Sequence, residues 1–387
     1  MFHNFEIVEN CPNTGARAGV LSTSHGLVPT PLFLPVGTQG TVKTLSPEEL
    51  NTIGVKMILG NAYHLYLRPG IEVIERLGGL HRFMSWDGPI LTDSGGYQVF
   101  SLASLRQVND EGVRFRSHID GSEHFFTPER VIQLQQKLGG DIIMPLDECH
   151  HYSNDPVTVR AAMEKTHRWA ERSKQSCRKD GQDLYGIVQG GIFPELRRES
   201  AKFLTSLGFP GYAIGGLSVG EPKEITMAVL EETVSFLPED KPRYLMGVGS
   251  PEDIFEGVAR GVDIFDSSLP TRTARNGALF TALGRHNIQN ARYKELDEPI
   301  DPECNCYTCL TFSAAYLHHL FKSRELLAYR LATIHNLRFI IRLMEQIRQA
   351  ILSCSFAILK DTFLANYQTT NEETRLSQKQ KWLQRFG

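Results

Sequence analysis

Short apolar runs recur along the chain, and most are followed by a stretch with helical periodicity. The runs are PLFLPVG (31–37), KMILGN (56–61), PILTDSG (89–95), DIIMPLDE (141–148), LYGIVQGG (184–191), GYAIGGL (211–217), RYLMGVG (243–249) and VDIFDSS (262–268). Runs of this length without polar alternation predict strands buried on both faces of a parallel sheet. Helix starts lie between them. Ser46-Pro47-Glu48-Glu49 reads as a capping box with proline at the first helical position, and Thr127-Pro128-Glu129 and Ser250-Pro251-Glu252 repeat the pattern. Val159, Ala162, Met163, Thr166, Trp169 and Ala170 fall on one helical stripe, as do Met227, Leu230, Val234 and Leu237. Eight strands alternating with helices predict an α/β fold, a (β/α)8 TIM barrel. A doubly wound sheet is the alternative, but no glycine-rich dinucleotide fingerprint follows the first strand. Val113–Ile119, Asp120-Gly121 and Glu123–Phe126 predict an inserted β-hairpin with a primed turn.

The ends of the predicted strands carry the candidate chemistry. In order they hold Asn61, Asp93, Asp147, Gln189, Gly216, Met246 and Asp266. In a barrel these ends meet at one face, where active sites sit, so the set predicts a polar, acid-rich cup. Each residue taken singly is also a turn former or helix cap, but glutamine is a poor cap and the positions recur. The segment DIFDSSLPTRTARNG (263–277) places a strand-end carboxylate, Asp266, before a turn bearing Arg272 and Arg275. That pairing suits a nucleophile facing a polyanionic substrate.

Cys304, Cys306 and Cys309 form C-x-C-x2-C in one loop, a spacing that sets three thiolates around a tetrahedral cation. The fourth ligand is sought among His318, His319 and His335, and the closed set predicts a structural zinc ion. Cys11, Cys177 and Cys354 read as plain thiols, whereas Cys149 follows Asp147-Glu148 at a strand end and is expected to line the pocket. The 387 residues carry a net charge of −3 with 41% hydrophobic positions, so any nucleic-acid binding must use a local basic patch. The N-terminus MFHNFEIVEN has early acids and no long apolar run, and no stretch approaches the ~18 apolar residues of a membrane helix. These features predict a cytosolic protein.

Seven motifs, TDSGGYQVFSL (92–102), MPLDEC (144–149), GIVQGG (186–191), GGLSVGE (215–221), YLMGVG (244–249), FDSSLPTRTARNG (265–277) and CNCYTC…H (304–335), together resemble the tRNA-guanine transglycosylases of bacterial type. The resemblance runs from about residue 5 to about 365. It implies a pentosyltransferase that removes guanine from the wobble position of a queuosine-family anticodon and inserts 7-aminomethyl-7-deazaguanine (preQ1), a queuosine precursor. It further implies a homodimer, and one domain over 1–368. A zinc subdomain at about 270–335 would lie within the last βα unit, with His335 as the fourth ligand. The polar tail 369–387 is expected to be disordered.

On the matching positions the resemblance makes Asp266 the nucleophile of a double displacement and Asp93 the general acid/base, with Asn61 hydrogen-bonding Asp93. It makes Asp147, Gln189 and the backbone N–H of Gly216 the base-reading set, with the Leu217 carbonyl facing the 7-substituent, Tyr97 and Met246 stacking on the base and Cys149 beside it. Val219 follows the bacterial pattern, where eukaryotic relatives carry glycine. Arg272, Arg275 and Ser250 fall at tRNA contacts, although some relatives are basic where this chain has Ser250. Arg324, Arg338, Arg342, Arg348 and Lys360 form either a phosphate track or a solvated helical face. A tRNA-binding subunit without catalysis is disfavoured by the presence of both Asp93 and Asp266. An archaeal-type enzyme carries further RNA-binding domains after the barrel, and this chain ends at Gly387. A metal-dependent barrel hydrolase would need histidines at strand ends, where only His64 comes close.

Overall fold

The computed structural model describes residues 5–102, 106–149, 152–153, 155–177, 181–369 and 377. The eight predicted strands form one parallel ring. They are β1 (Leu32–Gly37), β2 (Ile58–Asn61), β3 (Ile90–Asp93), β4 (Ile142–Ile143), β5, β6 (Tyr212–Ile214), β7 (Arg243–Leu245) and β8 (Ile264–Ser267). Strand β5 comes as two pieces, Asp183–Leu184 and Gly186–Val188. The first piece pairs with β4, the second with β6, and β8 pairs with β1, which closes the barrel.

The pleat explains which side chains reach the cup. Leu59, Leu91, Ile187, Ala213, Tyr244 and Ile264 pack together in the barrel interior. Their neighbours Ile58, Ile90, Val188, Ile214, Leu245 and Phe265 pack against the surrounding helices. Side chains alternate along a strand. Two residues beyond Leu59, Leu91, Ile187, Tyr244 and Ile264, the same face carries Asn61, Asp93, Gln189, Met246 and Asp266. The fourth strand differs from expectation. It pairs only over Ile142–Ile143, because Pro145 offers no N–H to a ladder, and Asp147 stands on the loop beyond it.

The capping box at Ser46 is present in full, and Thr127 caps its helix by accepting from Arg130 N at 3.2 Å. Ser250 makes no such cap; its hydroxyl donates to Asp253 Oδ2 at 2.6 Å. Both helical stripes read from the sequence are buried. The hairpin insertion is real but its turn is wider than a primed two-residue turn. Ser117 N donates to Ser122 O (2.8 Å), closing a loop between Val113–Arg116 and Glu123–Phe126, and a third strand, Arg106–Val108, joins them. Unforeseen is an antiparallel sheet of Phe5–Asn10, Arg17–Thr23 and Gly26–Thr30, whose Leu21 and Val28 plug the barrel floor. No described helix is long and apolar enough to cross a membrane. The expected disorder of 369–387 falls almost wholly outside the described residues.

After β8 come the helix Leu269–Arg275, the hairpin Ala278–Thr281/Gly284–Asn287, the cysteine loop and the long helix Leu326–Leu352. That helix packs on β1 and on Leu269–Arg275. Most of the proposed phosphate track is used internally. Arg338 pairs with Glu345, Arg342 with Asp301, Lys360 with Glu256, and Arg348 donates to Gly19 O at 2.7 Å.

Candidate active site and metal centre

Adjacent strands bring the first carboxylate and its partner together. Asn61 and Asp93 are directly paired in the β2–β3 register, and Asn61 Nδ2 donates to Asp93 Oδ2 at 3.1 Å. Asp93 is buried, with the charges of Asp147 and Asp266 nearby; burial first, then those charges, push its pKa up to about 7. An aspartate held above its unfolded value of 3.8 keeps in the fold a proton that it releases on unfolding. Stability therefore falls as pH rises between those two values. Asp93→Asn, which cannot ionise, is expected to unfold at a higher temperature than the parent at about pH 8, by on the order of 1 kcal/mol or more. The gap should shrink near pH 4–5. Melting curves at the two pH values test this, and an equal shift at both would contradict it.

Asp266 is treated differently. Its Oδ1 accepts from Tyr244 Oη at 2.6 Å and from Gly247 N at 2.8 Å. Burial raises its pKa from the ordinary value, and these two donors oppose the rise by stabilising the anion. Two carboxylates thus share one cup under different conditions.

Asp147 Oδ2 accepts from Gln189 Nε2 at 2.8 Å, and burial pushes its pKa up to about 6. Glycines shape this corner. A Cβ on Gly96 would lie 2.6 Å from Asp147 Oδ1, and one on Gly216, where φ is +66°, would lie 2.4 Å from Gln189 Oε1. Cys149 sits between them; burial and the Asp147 charge push its thiol up to about 12. Tyr97 lies near both Cys149 and Arg272. Leu217 is buried, Met246 half-buried against the barrel interior, and Arg272 is exposed at the rim with Arg275 behind it. Next to Gln189 and Gly216 opens a cavity bounded by Val219, Glu148 and Glu221. The structure thus gathers the strand-end set, Tyr97, Cys149 and Arg272 in one region. Ser250 is the outlier: it lies in a separate recess with Arg285 and Tyr367, its hydroxyl committed to Asp253.

Several participants were not read from the sequence. Tyr244 could have been found, since it faces inward two residues before Met246. Arg197 could not: a helical arginine predicts solvent, yet it is fully buried, donating to Gly191 O (2.8 Å), Val188 O (3.0 Å) and Gly215 O (2.7 Å). It thereby fixes the two loops that carry Gln189 and Gly216. Glu221 accepts from Val219 N (3.0 Å) and Thr226 Oγ1 (2.7 Å) and holds the following turn. His64 does have a histidine beside it: the His118 ring lies 5.7 Å away, and His118 Nδ1 meets Tyr63 Oη at 2.9 Å. Among the described residues no third metal-ligating group joins that pair.

Cys304, Cys306, Cys309 and His335 are all buried, and their ligand atoms lie within 4.8 Å of one another, so they could hold a metal ion. His335 Nδ1 lies 3.2 Å from Cys309 Sγ, while its Nε2 meets Phe280 O at 2.7 Å. The carbonyl accepts a hydrogen bond from Nε2–H, which places the ring hydrogen there and leaves the Nδ1 lone pair for a metal. Neither His318 nor His319 belongs to the cluster; His318 Nδ1 meets Ile288 O instead. Asn336, next to His335, donates to Pro270 O (3.0 Å) and Ala278 O (2.9 Å), so the metal group is tied to the arginine-bearing turn.

Comparison with known proteins agrees. The queuine tRNA-ribosyltransferase family model matches residues 11–369. A curated queuine tRNA-ribosyltransferase of Dehalococcoides mccartyi strain 195 is 58% identical over 383 residues, covering 99% of this chain and 98% of its own. Proteins of the same name from Caldanaerobacter subterraneus subsp. tengcongensis (56%, covering 95% of this chain and 99% of the relative) and Pelotomaculum thermopropionicum (57%, covering 94% and 99%) are also similar. Through matches that span nearly its whole length, the chain belongs to the queuine tRNA-ribosyltransferase family, in its bacterial form.

Proposed function

We propose that this chain is a pentosyltransferase of queuosine synthesis that exchanges guanine at the wobble position of tRNA for preQ1, through a covalent ribosyl-Asp266 intermediate. The observation that carries the chemistry is the unequal hydrogen bonding of two buried carboxylates in one cup. Asp266 is stabilised as an anion by Tyr244 and Gly247, while Asp93 is poised to hold a proton near neutral pH. Asp266 attacks the ribose C1′ as the bond to N9 of guanine breaks, and Asp93 gives the departing base its proton. The entering base returns a proton to Asp93, and its N9 displaces the carboxylate from C1′. This is the double displacement of retaining glycosyl transfer with a base in place of water.

Asp147 accepts from the N–H groups of the base. Gln189, with one N–H on Asp147, has a second for the base carbonyl, together with Gly216 N. Tyr97 and Met246 stack on its faces. An aminomethyl cation on C7 would face the Leu217 carbonyl and the cavity beside Val219, which Glu148, itself paired with Lys165 at 2.9 Å, and Glu221 also line. Arg272 and Arg275 meet phosphates flanking the extruded nucleotide. The buried thiolate-imidazole set suits zinc by number and softness of donors; bound there it would act structurally, tying hairpin, loop and helix together. We also read the protein as a cytoplasmic homodimer. Tyr307, Leu310 and Tyr316 are exposed side by side near the metal group, with Phe312 against both tyrosines. Leu310→Asp is expected to yield monomers in sedimentation, and an unchanged dimer, or a monomeric parent, overturns this reading.

The decisive experiment supplies labelled guanine and tRNA bearing a queuosine-family anticodon. Incorporation at the wobble position, chased out by preQ1 more readily than by queuine, is expected. No incorporation overturns the activity, and preferential chase by queuine overturns the choice of base.

A further inference from the structure

A second cluster of ligating side chains lies at the end of the barrel opposite the cup. Asp141 precedes β4 and is fully buried. Its Oδ2 accepts from Ile90 N at 2.9 Å, and its Oδ1 from His25 N at 3.2 Å. Two imidazoles converge on the same carboxylate. His25 Nδ1, from the turn of the N-terminal sheet, lies 2.7 Å from Oδ1, and His81 Nε2, from the helix Gly79–Met84, lies 3.3 Å from Oδ2. The two rings stack with centroids 3.6 Å apart. The three ligand atoms lie within 4.8 Å of one another. His81 Nε2 is buried and has no hydrogen-bond partner of adequate geometry.

We propose that His25, His81 and Asp141 form a second metal site, selective for a divalent transition ion of the zinc class. Two imidazole nitrogens and one carboxylate oxygen make a borderline-soft donor set that suits zinc or cobalt over calcium or magnesium. His81 Nε2, whose 3.3 Å approach to Asp141 Oδ2 makes no well-aligned hydrogen bond, would gain a better partner when an ion enters. The His25 side chain is 36% exposed, so its ring can turn to aim its lone pair and leaves an open position for water. Such a site is weaker than a closed one and chemically distinct from the thiolate cluster. It would join three parts of the barrel floor, the Thr23–Gly26 turn, the Gly79–Met84 helix and the start of β4, far from the exchange chemistry.

The test uses the untagged full chain with its thiolate cluster already loaded with zinc, and cobalt(II) as the probe. Equilibrium dialysis near pH 7.5 is expected to show one cobalt beyond the zinc in the parent. Its spectrum should lack the near-ultraviolet charge-transfer band of cobalt-thiolate bonds. H25A and H81A should each lose the cobalt while keeping the zinc, which reports that the fold is intact. Added zinc should raise the unfolding temperature of the parent and leave both variants unmoved. No second equivalent in the parent, a thiolate band on it, or its retention in both variants would show the cluster to be a hydrogen-bonded staple only.

Discussion

Asp266→Ala is expected to lose base exchange by on the order of 10⁴-fold or more in kcat/KM, with folding retained, because the variant removes the carboxylate we propose as the nucleophile. Its carboxylate is buried, so deletion also removes a desolvated charge, which offsets the acceptor lost to Tyr244. A melting curve close to the parent's, with no labelled guanine incorporated and no protein–RNA adduct on denaturing gels, is the expected pattern. Tyr244→Phe separates positioning from attack. It removes one of the two donors to Asp266 and so raises the pKa of that carboxylate further. Activity should fall, and the acid limb of the kcat/KM profile should move to higher pH. Adduct formation by Asp266→Ala would sink the nucleophile assignment, whereas an unmoved acid limb in Tyr244→Phe would sink only the tyrosine's role.

The barrel was readable because burial on both faces of a parallel sheet leaves uninterrupted apolar runs, and the strand ends then follow in order. Most of the cup was readable for the same reason: alternation from Leu59, Leu91 and Ile264 sends Asn61, Asp93 and Asp266 inward. What escaped is what alternation does not govern. Pro145 ends the fourth ladder early, so Asp147 reaches the cup from a loop rather than a strand. Arg197 is buried by the carbonyls of Val188, Gly191 and Gly215, which lie outside its helix where helical periodicity gives no sign of them. The floor sheet did not stand out because over Phe5–Asn10 polarity does not follow the alternation of burial: Val8 faces outward and Glu9 is half-buried. Ser250 followed a sequence pattern shared with true caps, but its hydroxyl donates to Asp253 Oδ2 and accepts nothing from the helix N–H groups.

Cys306→Ser is expected to lose bound metal and with it the order of the whole segment after β8. The closed set lies entirely inside the protein, and its three thiols and one imidazole are too few and too polar to form a core of their own. A structural zinc contributes roughly 10–16 kcal/mol of apparent binding free energy in small domains, far more than the few kcal/mol that ordinary core substitutions cost. Without the ion His335 is no longer fixed against Phe280 O, so the hairpin Ala278–Thr281/Gly284–Asn287 loses one of its ties to the long helix, and Asn336 holds Pro270 and Ala278 less firmly. The turn bearing Arg272 and Arg275 should loosen, so tRNA affinity should fall together with solubility. Asn336→Ala is the informative companion. It leaves all four metal ligands in place, so it should keep full zinc while weakening tRNA binding and leaving the affinity for the free base nearly unchanged. Full zinc in Cys306→Ser would dismiss the closed-site reading. Unaltered tRNA affinity in Asn336→Ala would instead mean that metal and arginines stabilise separate parts of the chain.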